Sequence, residues 1–101
     1  MNLEKVIVTD YIEETLDWEQ EQLKDLPCRF IPLQMKSATP GELLTRISDA
    51  DILVVNMAVI DRRVIEGLKK CRLIIRHGVG YDNVDVAAAT EAGIPVSHVP
   101  D

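Results

Sequence analysis

Five short, β-rich apolar runs recur along this chain, starting near residues 5, 29, 52, 73 and 95. A helical pattern occupies each gap between them. They are Lys5–Thr9, Arg29–Leu33, Ile52–Val55, Leu73–Arg76 and Ile94–Val99. Gaps of this length are too long for hairpins and suit helical crossovers, so the strands should lie parallel. Right-handed crossovers then put helices on both faces. The runs Ile52-Leu53-Val54-Val55 and Leu73-Ile74-Ile75 are apolar throughout, as expected of strands covered on both sides. Pro32 cannot donate to a ladder, which puts the second strand at an edge. The expected fold is α/β: a flavodoxin-like, three-layer, doubly wound parallel five-stranded sheet in the order 2-1-3-4-5.

The helix signals between the strands are local and specific. Asp17 can cap a helix from Trp18 to about Leu26, with Gln20 three residues on, Leu16, Leu23 and Leu26 inward, and Pro27 as the stop. Thr39-Pro40-Gly41-Glu42 is the clearest start, with Thr39 at the N-cap, Pro40 at N1 and Glu42 at N3. Leu43, Leu44 and Ile47 carry its apolar face to Asp49. Asp61 caps a further helix through Lys70, with Val64, Ile65 and Leu68 inward. Asp82 and Asn83 are cap types ahead of a last helix over Val84–Ala92, and Gly93 stands at its C′ position.

At 101 residues the pattern amounts to one domain, with no repeat or linker in it. A net charge of −6 argues against nucleic acid as a partner. The basic pairs Arg62-Arg63 and Lys69-Lys70 read as solvated faces of one helix. No apolar run reaches the length of a membrane span, and no basic-then-apolar leader opens the chain. Cys28 and Cys71 stand far apart without a C-x-x-C, as buried thiols of a cytoplasmic protein rather than a disulfide or metal pair. No metal is expected.

In a sheet of this order, ligands bind beyond the carboxyl ends of the strands near the switch point between strands 1 and 3. Three loops qualify: Asp10-Tyr11, Asn56-Met57-Ala58 and His77 to Tyr81. The last holds His77-Gly78-Val79-Gly80, where the glycines leave backbone N–H groups uncovered before a helix start. Such a crevice suits a small anion such as a carboxylate. The alternative is that both glycines serve only a tight turn. His77 is the loop's one side chain that titrates near neutrality, either as a ligand contact or as an orienting group at a strand end. Gly78-Val79-Gly80 opens like the dinucleotide fingerprint G-x-G-x-x-G, but position 83 is Asn, so no pyrophosphate loop is assigned. Asp10 lacks the acidic cluster and the Lys that a phosphoacceptor site would need.

The stretch LIIRHGVGYDNVDVAAATEAGIPVSHVPD resembles the D-isomer-specific 2-hydroxyacid dehydrogenases, the family of D-3-phosphoglycerate, glyoxylate/hydroxypyruvate and formate dehydrogenases. Gly78-Val79-Gly80 with Asp82-Asn83-Val84-Asp85, Ala88-Ala89 and Gly93-Ile94-Pro95-Val96 carries the likeness. The Asp49-Ala50-Asp51 lead into strand 3 matches more loosely. The ending Val99-Pro100-Asp101 resembles the branch that includes the C-terminal-binding-protein corepressors. The resemblance implies that residues 1–101 are the N-terminal substrate-binding (catalytic) domain of an NAD-dependent oxidoreductase acting on a D-2-hydroxy acid or 2-oxo acid. It implies that the amides of Val79 and Gly80 hold the substrate carboxylate, with Asn56, Met57, His77 and Gly78 lining the same cleft. Asn-Met-Ala stands where the family often has Arg or Ser. The NAD-binding domain and the catalytic Arg, acidic residue and His are implied to lie beyond residue 101, so NAD is expected only in the full-length parent. A possible homodimer, and a non-enzymatic corepressor-type protein that kept the fold, come with the same resemblance. A stand-alone small-anion binding module is the remaining alternative.

Overall fold

The computed structural model describes residues 4–11, 21, 25, 28–77 and 83–99. Five strands, β1 (Glu4–Val8), β2 (Cys28–Pro32), β3 (Ile52–Val55), β4 (Leu73–His77) and β5 (Val96–Val99), form one sheet in the order β2-β1-β3-β4-β5. Every pairing is parallel, and β2, with Pro32 at its end, is an edge as its sequence requires. Three helices are described: α1 (Pro40–Ile47), α2 (Arg62–Gly67) and α3 (Val86–Glu91). The helix expected over Trp18–Leu26, with its cap at Asp17 and stop at Pro27, lies outside the described residues except for Glu21, which is helical, and Asp25, and the stretch from Gly78 to Asp82 lies outside them entirely.

The strand register explains where the core sits. Ile7, Leu53 and Ile74 are aligned partners across β1, β3 and β4, and all are buried. This row joins Leu43 and Ile47 of α1, Val64 and Ile65 of α2, and Ala88 and Ala89 of α3 in one apolar cluster. The described helices therefore share one face of the sheet. On the opposite face Val6, Ile52, Val54 and Ile75 are half-buried. At about 25 cal/mol per Å² of apolar surface, the fully covered face is the main source of stability.

Two helices end differently from the sequence expectation, and each has a tertiary cause. The expected helix through Lys70 stops at Gly67, with Leu68 extended at its C-cap. A Cβ on Gly67 would meet Leu44 of α1 at 2.7 Å, so the two helices touch where glycine is placed. Beyond it, Lys69 N–H donates to Ser48 O at 2.9 Å, which turns the chain away from the helix axis. Lys69 and Lys70 thus lie after the helix rather than on it. Nor does the last helix start at Val84. Val84 forms an isolated parallel bridge with Ile60, and Asp85 is the true N-cap, accepting from Ala88 N–H at 2.9 Å. Its other end follows the expectation: Gly93 has φ +78°, the left-handed value its C′ position calls for. Gly93 N–H donates to Thr90 O and Ile94 N–H to Ala89 O, the paired bonds of a Schellman ending. Ile94 is thereby spent on closing the helix, and β5 starts two residues later than expected, at Val96.

The capping box of α1 forms as read. Thr39 Oγ1 accepts from Glu42 N–H at 3.2 Å, and the Glu42 carboxylate accepts from Thr39 N–H at 2.8 Å. These bonds with Thr39 hold the Glu42 carboxyl below the usual glutamate range. Both cysteines are free. Cys71 is buried, which pushes its thiol up, whereas Cys28 is half-exposed rather than buried. Arg62, Lys70 and Arg72 are exposed and paired: Arg62 with Glu91 at 2.6 Å, Lys70 with Asp51 at 3.8 Å, and Arg72 with Glu4.

Candidate functional site

Two of the three loops selected by the switch-point rule, those after β1 and β3, meet at the carboxyl ends of their strands. Asp10 leaves β1 buried, with 3% of its surface exposed. A carboxylate that far from water needs donors, and the loop after β3 supplies them. Met57 N–H donates to Asp10 Oδ2 at 2.7 Å, Ala58 N–H to Oδ1 at 3.0 Å, and Asn56 N–H to Oδ1 at 3.3 Å. The Thr9 hydroxyl adds a fourth bond at 2.8 Å. Thr9 is itself fully buried, and its N–H donates to Val54 O at 3.0 Å, which fixes β1 against β3 just before the loop.

The carbonyl side of the same loop is held by Asn83. Its Nδ2 donates to Asn56 O and to Ala58 O, both at 3.0 Å. The peptide between Asn56 and Met57 is thus gripped at both ends, its carbonyl by Asn83 and its N–H by Asp10. Asn83 Oδ1 in turn accepts from Arg76 Nε at 2.9 Å. Arg76, on the core-facing row of β4 beside Val55, is also 3% exposed. Backbone bonds from Ile60 N–H to Asn83 O at 2.6 Å and from Asp85 N–H to Ile60 O at 2.9 Å tie the far end of the loop to the start of α3. Two buried charges of opposite sign, Asp10 and Arg76, therefore sit at the ends of one chain of hydrogen bonds that passes through the loop and is charge-assisted at each end.

Of the residues singled out from the sequence, Asn56 and Met57 lie on this loop. Asn56 is half-buried, and Met57 is 52% exposed, with Val59 beside it equally open. His77 is the last residue of β4, so its backbone sits at the expected strand end. Gly78, Val79 and Gly80 lie outside the described residues. Asp10 has a different role from the one weighed for it: it organises backbone and has no acidic neighbours in the network. Arg76 and Asn83 were missed. The available signal was an arginine closing an otherwise apolar buried strand, which demands a partner. By sequence Asn83 is a cap type, whereas its side chain bonds Arg76, Asn56 O and Ala58 O. Among the described residues no three His, Cys, Asp or Glu side chains gather as a metal set, and no helix is long and apolar enough to cross a membrane.

What the arrangement can do follows from what is left over. The N–H groups of residues 56–58 are taken by Asp10, so these three amides are not available to a ligand.

Residues 6–101 match the family model described as D-isomer specific 2-hydroxyacid dehydrogenase, catalytic domain. D-3-phosphoglycerate dehydrogenase of Methanocaldococcus jannaschii is 41% identical over 98 residues, which is 96% of this chain and 18% of that protein. Glyoxylate reductase of Pyrococcus furiosus is 41% identical over 61 residues, 59% of this chain and 18% of that protein. The NAD+-bound 3-phosphoglycerate dehydrogenase of Entamoeba histolytica aligns with a TM-score of 0.82 at 27% identity, covering 95% of this chain and 32% of that one. The chain spans 18% of the length of these curated relatives.

Proposed function

The chain belongs to the D-isomer-specific 2-hydroxyacid dehydrogenases through their catalytic domain, and on that premise we propose that it forms the substrate-binding part of an NAD-dependent enzyme. The full protein reduces a small 2-oxo acid or oxidises the matching D-2-hydroxy acid. The observation that carries this reading is the match to the catalytic-domain family over nearly the whole chain, residues 6–101. The substrate carboxylate is held by the backbone amides of Val79 and Gly80, with His77 and Gly78 beside them. Asn56 and Met57 form the facing wall. This division of labour is supported by the amides of residues 56–58, which are already taken by Asp10.

The residues present do not fit NAD itself. At the fingerprint's third glycine position stands Asn83, whose side chain is engaged with Asn56 O, Ala58 O and Arg76, so no step is routed through the dinucleotide here. Hydride transfer also needs an acid–base group beside the carbonyl. We assign the dinucleotide site, the catalytic Arg, the acidic residue and the His to sequence beyond residue 101, and no catalytic residue to this chain.

The test is a spectrophotometric assay of the full-length protein with NADH over a panel of 2-oxo acids. Saturable NADH oxidation with at least one of them is expected. A folded protein that oxidises NADH with none of the panel would refute the enzymatic reading and leave the corepressor-type role.

A further inference from the structure

Among the described residues the exposed large apolar side chains are Met57, Val59 and Val86, and all three stand around one bridge. Met57 and Val59 are open to solvent on the loop after β3, while Ala58 and Ile60, alternating with them, are fully buried. Ile60 pairs with Val84, and Asp85, just before Val86, donates its N–H to Ile60 O at 2.9 Å. Single exposed apolar side chains need no explanation, but a group of them marks a contact surface. The backbone under Met57 is fixed: Asp10 holds its N–H at 2.7 Å, and Asn83 holds the carbonyls of its two neighbours, Asn56 and Ala58. We propose that Met57, with Val59 beside it, is the specificity-determining side chain of the substrate site, selecting a 2-oxo acid with an uncharged, apolar substituent over one whose substituent ends in a carboxylate or phosphate. The inference rests on the substrate-binding role of this loop proposed above.

The charges around the three side chains decide between these substituents. Residues 56–60 carry no ionisable side chain. The groups that follow are carboxylates, Asp61 capping α2 and Asp85 capping α3, so an anionic substituent meets like charge there. Of the two arginines next in the chain, Arg62 is paired with Glu91 at 2.6 Å and Arg63 lies against Gly41 of α1. A carboxylate or phosphate pressed onto a thioether gives up hydration without gaining a partner, which is unfavourable. An alkyl substituent removes apolar surface from water on both sides of the contact. Methionine also adapts its shape to irregular apolar partners, so the site discriminates by charge more sharply than by chain length.

The test compares 2-oxopentanoate with 2-oxoglutarate, which carries a second carboxylate where the former has a methyl group. Full-length wild type, Met57→Gln and Met57→Arg are assayed with NADH, and the ratio of the two kcat/KM values is read. That ratio reports discrimination between substrates and is the same whatever fraction of the protein is folded. Wild type should favour 2-oxopentanoate by at least about tenfold. Met57→Gln, similar in length but polar, should narrow the ratio, and Met57→Arg, which sets a cation in the same place, should reverse it. A wild type active on other 2-oxo acids that takes neither of this pair, or both alike, overturns the proposal, as does a ratio that neither substitution moves. Failure of both variants to fold overturns it too, because an exposed side chain that faces substrate is not needed to hold the loop. A wild type without turnover of any 2-oxo acid removes the substrate reading and this inference with it. An active wild type without the preference removes the inference alone.

Discussion

Asp10 carries the most concentrated chemistry of the described residues. Its carboxylate accepts four hydrogen bonds, three from consecutive N–H groups of another strand's loop. Asp10→Asn exchanges one accepting oxygen for an NH2 group that faces those same donors, so at least one buried N–H loses its partner. An unsatisfied buried donor costs about 1–3 kcal/mol, and the variant should lose stability by that amount in a urea titration. A loss below about half a kcal/mol, the size of an ordinary surface change, would show that the loop does not depend on this carboxylate. Nothing in the sequence around Asp10 announces the role. Its partners lie 46 to 48 residues away, and a loop aspartate after a strand reads equally well as solvated. Arg76 and Asn83 were hidden for the same reason, since each is intelligible only through the other.

At the scale of elements, what was legible is what is local. Thr39-Pro40-Gly41-Glu42 specifies the start of α1 with four adjacent residues, and both reciprocal bonds form. Gly93 specifies the end of α3 in the same way. The starts and stops that depend on distant chain differ from expectation: Val84 pairs with Ile60, and Gly67 abuts Leu44. The α1 cap should be worth measuring. Thr39→Ala is expected to cost about 1 kcal/mol. The contribution of Glu42 has a sign set by its lowered pKa. A carboxyl held below its unfolded value adds stability that is full above the ordinary 4.5 and is lost as pH falls through the lowered native value. Wild type should therefore exceed Glu42→Ala in denaturant midpoint at pH 7, with the gap narrowing below pH 4.5. A gap that stayed constant or widened in acid would mean that the box does not contribute as an ion.

For the molecule as a whole, the β-α alternation determined the sheet and its order, and the proposed kind of ligand rests on the family pattern. What it did not reveal is how the loop after β3 is anchored, because Asp10, Arg76 and Asn83 hold it through side chains that no local pattern connects. Central to the proposed function is that Gly78-Val79-Gly80 serves the substrate and not the dinucleotide. Gly80→Val in the full-length protein, assayed for KM of the 2-oxo acid and for NAD affinity by isothermal titration, bears on that most directly. A Cβ and its branches at position 80 crowd the N–H groups proposed to face the carboxylate, so KM should rise by about tenfold or more while NAD binds as in wild type. Weakened NAD binding with KM unchanged would contradict the account and make this glycine pair a pyrophosphate turn.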